Sequence, residues 1–66
     1  MADDAPLHTD EELLKCAQRE LAMRRHVYPR WIENGKMTAD RAKREISQMD
    51  GIVKVLEERA AKGRLL

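Results

Sequence analysis

The chain has 66 residues, of which 38% are charged, and its formal net charge is +1. A chain of this length forms one small domain at most. Its single cysteine excludes an internal disulfide, and no framework of cysteines and histidines is present that would hold zinc. No apolar run approaches the length of a membrane span, and the first residues are acidic rather than basic. We therefore expect a cytoplasmic protein without a membrane anchor or a secretory signal.

The beginning of the chain predicts a loose tail followed by a well-capped helix. Residues 1–8 show no periodicity and are expected to form a flexible acidic tail. The sequence Thr9-Asp10-Glu11-Glu12 has the pattern of a capping box, in which residues 9 and 12 each bind the backbone amide of the other. Three carboxylates in the first turn also suit the positive end of the helix dipole. The first helix is therefore predicted to begin at about residue 10.

Apolar residues then recur at helical spacing and define one buried stripe about 100° wide. Arg24 falls within this stripe, so its guanidinium needs a partner or must reach outwards. Glu20, four residues earlier, has the favourable order for an ion pair with it. The stripe consists of Leu13, Leu14, Ala17, Leu21, Tyr28, Trp31 and Ile32.

Pro29 and the Asn34-Gly35 pair decide where the first helix bends and ends. Proline lacks an amide donor and disfavours helical angles at the residue before it. Either the helix kinks at Pro29, or it stops and a short turn restarts there. The apolar spacing continues across Pro29, which favours the kink. Gly35 readily takes a left-handed conformation, so the first helix is predicted to end at about residue 34.

The second helix is predicted at about residues 39–62, after a turn at 35–38 and with Thr38 as its cap. A turn this short forces an antiparallel hairpin. Gly63 is expected to end the helix and to leave residues 64–66 as a tail. The apolar positions of this helix follow alternating four- and three-residue steps, as in a coiled coil: Ala42, Ile46, Met49, Val53, Leu56 and Ala60.

Glu45 lies at the edge of the second apolar stripe, as Arg24 does on the first helix. An antiparallel hairpin that turns near Gly35 brings Glu45 roughly opposite residues 24–28. We therefore predict that Glu45 pairs with Arg24 or accepts a hydrogen bond from the Tyr28 hydroxyl. The Arg24–Glu45 pair would fix the alignment of the two helices.

The predicted fold class is all-α, a two-helix hairpin over residues 9–63 with its first helix kinked near Pro29. Two helices that touch along one seam leave their outer sides exposed, which is little burial to set against the conformational entropy of ordering. We therefore expect self-association into a helical bundle, as a homodimer or a higher oligomer. Gly51, inside the second helix, is expected to let another helix approach. Candidates for the second interface are Cys16, Met23, Val27, Ile52 and Val55.

No constellation of residues points to catalysis. Ser47 is the only serine and has no histidine at a useful spacing, and Cys16 is predicted to be a small interface residue. His8, Cys16 and His26 do not share helical spacing, so no metal site is predicted. The three isolated glycines form no phosphate-binding loop. We therefore predict a protein without catalytic residues, cofactor or metal.

The residues from Arg19 to Arg44 include eight basic and three acidic side chains, so the turn end of the hairpin should be basic. Such a surface either is simply solvated or marks an acidic partner, and another protein is the first candidate. Nucleic acid is the alternative, because cations neutralise phosphates and Tyr28 and Trp31 can stack on bases. The position of both aromatics on the apolar stripe argues against this alternative. The predicted partner-binding residues are Arg25, Arg30, Arg41 and Arg44.

Three sequence elements also resemble short helical proteins encoded by bacteriophages and prophages. They are Arg-Glu-Leu-Ala-Met-Arg-Arg at 19–25, Val-Tyr-Pro-Arg-Trp at 27–31 and Gly-Lys-Met at 35–37, with Glu45-Ile46 and Met49 following. The similarity extends over roughly residues 12–57, and the Tyr-Pro-x-Trp element is its most distinctive part. The resemblance implies a bacterial cytoplasm and an accessory role, such as modulation of a host or phage protein. It implies no catalytic residues.

Overall fold

A computed structural model describes residues 7–65, which form two α-helices joined by a short turn. Helix α1 spans Asp10–Glu33 and helix α2 spans Ala39–Leu65. The helices pack against each other in antiparallel order, so the predicted all-α hairpin is confirmed. The described residues contain no strand. Most of the predicted tail at 1–8 lies outside them.

The start of α1 has the predicted capping box. The Thr9 amide donates to Glu12 Oε1 at 2.8 Å, and the Glu12 amide donates to Thr9 Oγ1 at 3.1 Å. These bonds satisfy two amides that the first helical turn would otherwise leave without partners. Hydrogen bonds from Thr9, the one from its backbone amide foremost, lower the pKa of the Glu12 carboxyl group.

Helix α1 continues through Pro29 without a break, so the alternative that the helix stops there is wrong. Pro29 has no amide hydrogen to donate to the carbonyl of Arg25. Both residues are exposed, so water can reach that carbonyl instead. The expected kink stays a prediction.

The turn between the helices has the geometry that Asn34-Gly35 predicts. Gly35 has a φ of 73°, a left-handed conformation that costs glycine little. Its amide donates to the carbonyl of Ile32 at 3.1 Å, and the Lys36 amide donates to the carbonyl of Trp31 at 2.8 Å. This pair of bonds is a Schellman motif. Helix α1 ends at residue 33, one residue earlier than expected.

Helix α2 begins as predicted but ends later. The Thr38 hydroxyl accepts a hydrogen bond from the Arg41 amide at 3.1 Å, which confirms the predicted cap. At the other end α2 continues to Leu65, so the expectation that Gly63 ends the helix is wrong. Gly63 does not take the left-handed conformation with which a glycine ends a helix. The exposed Arg64 beyond it forms an ion pair with Glu11 in the first turn of α1.

The core is a single seam between the helices. Ile46 and Leu56 are half-buried and pack against its buried members, and Tyr28 and Ala42 are also buried closer to the turn. These positions confirm the predicted seam of α2. No side chain in the described part of the chain is completely enclosed, because only two helices surround the seam. The core cluster consists of Leu14, Ala17, Leu21, Met49, Val53 and Ala60.

Three residues predicted to lie in the buried stripe of α1 are instead on the surface. The exposed fractions are 40% for Leu13, 38% for Trp31 and 37% for Ile32. All three lie at the edges of a stripe about 100° wide, and one neighbouring helix covers only its middle. Within the described residues, neither helix has the length and apolar character that crossing a membrane requires.

Candidate interaction surfaces

Contacts between α1 and α2 distinguish two sides of the hairpin. Arg24 reaches Glu45 on one side of the seam, and Arg25 reaches Asp50 on the other. Because successive residues of a helix are about 100° apart, the neighbours of these four residues can be assigned to one side or the other. We call these surfaces the Glu45 side and the Asp50 side.

Glu45 is the centre of a polar cluster on its side of the hairpin. The Tyr28 hydroxyl donates to Glu45 Oε1 at 3.2 Å, which confirms that predicted hydrogen bond. Arg41, one turn earlier on α2, donates through Nε to Glu45 Oε2 at 2.6 Å. Both carboxylate oxygens therefore have donors before Arg24 is considered.

Arg24 contacts Glu45 in a different way from the predicted ion pair. Its Nη1 donates to the backbone carbonyl of Glu45 at 2.9 Å, and its Nε donates to Glu20 Oε2 at 3.0 Å. Arg24 and Glu45 are thus in contact, but through the Glu45 backbone carbonyl, because Glu20 and Arg41 supply the partners of the two charged groups. The expected pair of Arg24 with Glu20 is confirmed.

The cluster changes the proton affinities of its members, Tyr28 and Glu45 among them. Only 6% of Tyr28 is exposed, and this burial, with the hydrogen bond to Glu45, raises the pKa of the tyrosine hydroxyl. The hydrogen bond from Arg41 lowers the pKa of the Glu45 carboxyl group. Glu45 is therefore ionised and Tyr28 is neutral at neutral pH, which matches their roles as acceptor and donor.

The Glu45 side also carries most of the exposed apolar surface. Seven large apolar residues are exposed in the described part of the chain, and five of them lie on this side. Leu7 precedes α1, and Ile32 lies towards the Asp50 side. Cys16 is exposed and Val27 is half-buried beside the five. The five are Leu13, Met23, Trp31, Ile52 and Val55.

An apolar hollow of about 580 Å³ opens on the surface of α2. Gly51 forms part of its wall, and a side chain added there would have no neighbour within 4 Å. Gly51 was expected to let another helix approach closely. Within the hairpin this expectation is not met, because α1 does not contact Gly51. The lining consists of Gln48, Gly51, Ile52, Val55, Leu56 and Arg59.

The Asp50 side is a charged surface. Arg25 and Lys54 lie 3.8 and 3.1 Å from the carboxylate oxygens of Asp50, and Glu11 pairs with Arg64. These pairs are largely exposed and contribute little to stability. Ion pairs therefore occur on both sides of the hairpin, while most of the exposed large apolar residues lie on the Glu45 side.

The predicted partner-binding arginines do not form one patch. Arg25 lies on the Asp50 side and is paired with Asp50, while Arg41 lies on the Glu45 side and is paired with Glu45. Arg30 and Arg44 point to the two outer edges of the hairpin and form no ion pair with any described residue. The four residues surround the turn end. The i,i+4 spacing of Arg41 and Glu45 was the sequence signal for the pair that the prediction missed.

Two of the residues that the sequence analysis considered for chemistry, Cys16 and His8, lie on the surface of α1 and just before its start. Cys16 is exposed, and His8 Nδ1 lies 4.0 Å from Glu12 Oε1 at the start of α1. Over the same residues, no three side chains of His, Cys, Asp or Glu are grouped as metal ligands would be.

Comparison of the chain with models of known families, with curated proteins and with solved structures gives no match. The resemblance to phage and prophage proteins therefore stays a prediction.

Proposed function

We propose that this chain is a non-enzymatic accessory protein that binds another protein through the turn end of its hairpin. One observation carries the proposal. Exposed Trp31 and Ile32 lie at the same end of the molecule as exposed cations that form no ion pair with a described residue. These cations are Arg30, Lys36, Lys43 and Arg44.

The composition of this end is typical of protein interfaces. Tryptophan, tyrosine and arginine contribute most of the binding energy at such interfaces. The ring of Trp31 stacks on that of Tyr28, with 5.5 Å between the ring centroids and 28° between the planes. Tyr28 is itself buried, and the turn is held by the Schellman bonds. The surface is thus largely ordered before binding, which reduces the entropy cost of association.

The charge of the turn end favours an acidic partner surface. The four cations of the turn end outnumber its two exposed carboxylates, Glu33 and Asp40, although the whole chain has a formal net charge of only +1. Complementary charge raises the association rate and selects the partner. In the accessory role that the resemblance implies, the partner is a host or phage protein in the bacterial cytoplasm.

A double substitution, Arg30→Gln with Arg44→Gln, tests this proposal. Both side chains are exposed, so the hairpin should remain folded. A bacterial protein captured by the wild-type chain should bind the variant about 10-fold more weakly, since a loss of about 0.7 kcal/mol at each of the two charged contacts adds up to that factor.

The matched control is Lys15→Gln with Lys62→Gln, which removes the same charge at the open end of the hairpin. Both lysines are exposed and outside the ion pairs of the described residues. Equal loss of binding in both variants, or no loss in either, would contradict a role for the turn end.

Nucleic acid is the second candidate, and the exposure of Trp31 favours it. The sequence placed this ring in the core, whereas the structure leaves it 38% exposed at the basic end, where it can stack on a base. Titration with labelled single- and double-stranded DNA at about 50 and 200 mM salt separates the candidates. Tight binding that weakens steeply with salt would identify a nucleic-acid-binding protein. The protein-partner proposal predicts no binding at either salt concentration.

A further inference from the structure

The hairpin is only one helix thick. Compact domains generally contain two packed layers, which enclose a core between them. Here the two helices form a single layer, and none of the described side chains is completely enclosed. A second layer is needed to cover one side of the hairpin. The Glu45 side and the Asp50 side differ in how well such a layer could pack against them.

The apolar residues favour the Glu45 side for this second layer. Ile52 and Val55 are 49% and 57% exposed beside the hollow on α2, and Leu13, Met23 and Trp31 extend the apolar surface along α1. Transfer of such side chains out of water is favourable by about 25 cal/mol per Å². The Asp50 side would instead have to desolvate the paired and unpaired charges on its surface.

The charges on the Glu45 side compensate one another. Three ion pairs lie on this side or at its border, and they contribute three carboxylates and three guanidinium groups. Covering these pairs therefore leaves none of their charges without a partner, and the paired charges of two copies do not repel each other. Arg19, which is exposed beside Cys16 and Met23 and forms no ion pair with a described residue, lies at the outer edge of the side, where its guanidinium can stay in water. The pairs are Glu20–Arg24 at 3.0 Å, Arg41–Glu45 at 2.6 Å and Asp10–Arg59 at 3.2 Å.

The area of this side is close to what a stable dimer requires. The helices have 24 and 27 residues. At about 1.5 Å per residue and about 10 Å of width per helix, the side measures roughly 36 by 20 Å, or about 700 Å². A specific interface of standard size buries about 800 Å² per partner.

We propose that the Glu45 side is covered by a second copy of this chain, which makes the protein a homodimer of four helices in two layers. A twofold interface brings identical surfaces together, so the surface must be apolar and neutral on both partners. The Glu45 side has both properties, whereas the cationic turn end would repel its own copy. This interface adjoins the turn end that the proposed function uses, and Trp31 lies where the two surfaces meet, while Arg30 and Arg44 point to the outer edges.

Ile52→Asp tests the interface, with Ser47→Asp as its control. Residue 52 lies on the Glu45 side, and Ser47 is an exposed position of α2 on the opposite side. A carboxylate at position 52 would be buried without a partner twice in each dimer, so dimerisation should weaken by about 100-fold or more. By sedimentation equilibrium we expect a dimer for the wild type and the control, and a monomer for Ile52→Asp at the same concentration. A monomeric wild type, or a dimeric Ile52→Asp variant, would overturn the proposal.

Cys16 gives a second test that does not depend on a folded variant. It is the only cysteine, it is exposed in the single hairpin and it lies on the Glu45 side. Its alkylation rate in the wild type should fall as the protein concentration rises, because dimerisation covers the thiol. A thiol moved to the opposite side, in Cys16→Ala with Lys15→Cys, should react at a rate independent of concentration. A wild-type rate that does not change with concentration would contradict the proposed interface.

Discussion

Glu45 connects three residues from two helices. Its carboxylate accepts from Tyr28 of α1 and Arg41 of α2, and its backbone carbonyl accepts from Arg24. This arrangement explains how a partly exposed glutamate can determine the register of the hairpin. A shift of α2 by one residue would turn Glu45 away from Tyr28 and Arg24 on α1, whereas Arg41 lies on the same helix as Glu45 and would move with it.

Alkaline unfolding tests the environment of Tyr28. Its pKa is raised above the ordinary value of 10.0, so the folded state holds the hydroxyl proton more tightly than the unfolded state. The contribution of Tyr28 is therefore fully present below pH 10 and is lost as the pH rises through the higher folded pKa. Above pH 10 the thermal midpoint should fall more steeply for the wild type than for Tyr28→Phe. Tyr28 is the only tyrosine, so its absorbance reports the titration directly. Parallel curves for the two proteins, or an unshifted absorbance titration, would contradict this environment.

The sequence predicted part of this cluster. The antiparallel turn at Gly35 places Glu45 opposite Tyr28, and the hydrogen bond between them followed from that register. The form of the Arg24 contact did not follow, because Glu20 and Arg41 compete for the same charges. Which of several nearby cations reaches a carboxylate depends on side-chain conformations that spacing alone does not determine.

At the scale of the helices, local signals placed three of the four ends well. Each of these three ends is set by hydrogen bonds between residues only a few positions apart, so the sequence contains everything that determines it. The signals are Thr9-Asp10-Glu11-Glu12, Asn34-Gly35 and Thr38. The fourth end was predicted at Gly63, but this glycine does not take the left-handed conformation and α2 continues to Leu65. The pairing of Arg64 with Glu11 from the far end of the chain follows only from the tertiary arrangement.

The same substitution at two glycines should have opposite effects. Gly35 has a left-handed backbone, so Gly35→Ala should destabilise the hairpin by about 1–2 kcal/mol. Gly51 lies inside α2 with open space around it, so Gly51→Ala should stabilise the protein by up to about 1 kcal/mol. Urea unfolding followed by circular dichroism measures both. Loss of stability in Gly51→Ala would show that another helix lies against this position.

At the scale of the whole molecule, the width of the apolar stripe exceeds what one neighbouring helix can cover. The sequence placed Leu13 and Trp31 in the core, and the single hairpin leaves both on its surface. Sequence periodicity reports every side chain that is apolar, whatever eventually covers it. The hairpin itself was predictable from the seam and the turn. The sequence did not show which side of the hairpin would have the exposed apolar residues. The two sides are defined by the contacts of Arg24 with Glu45 and of Arg25 with Asp50, which follow only from the packing of the helices.

The most direct test of the two-layer dimer is thermal unfolding of the wild-type protein over a wide range of concentrations. If folding is completed by a second copy, mass action requires the midpoint to rise with protein concentration. We predict such a rise, together with a transition that fits dimer unfolding to two chains. A cooperative transition with the same midpoint at every concentration would show that one hairpin folds alone, and it would contradict the account.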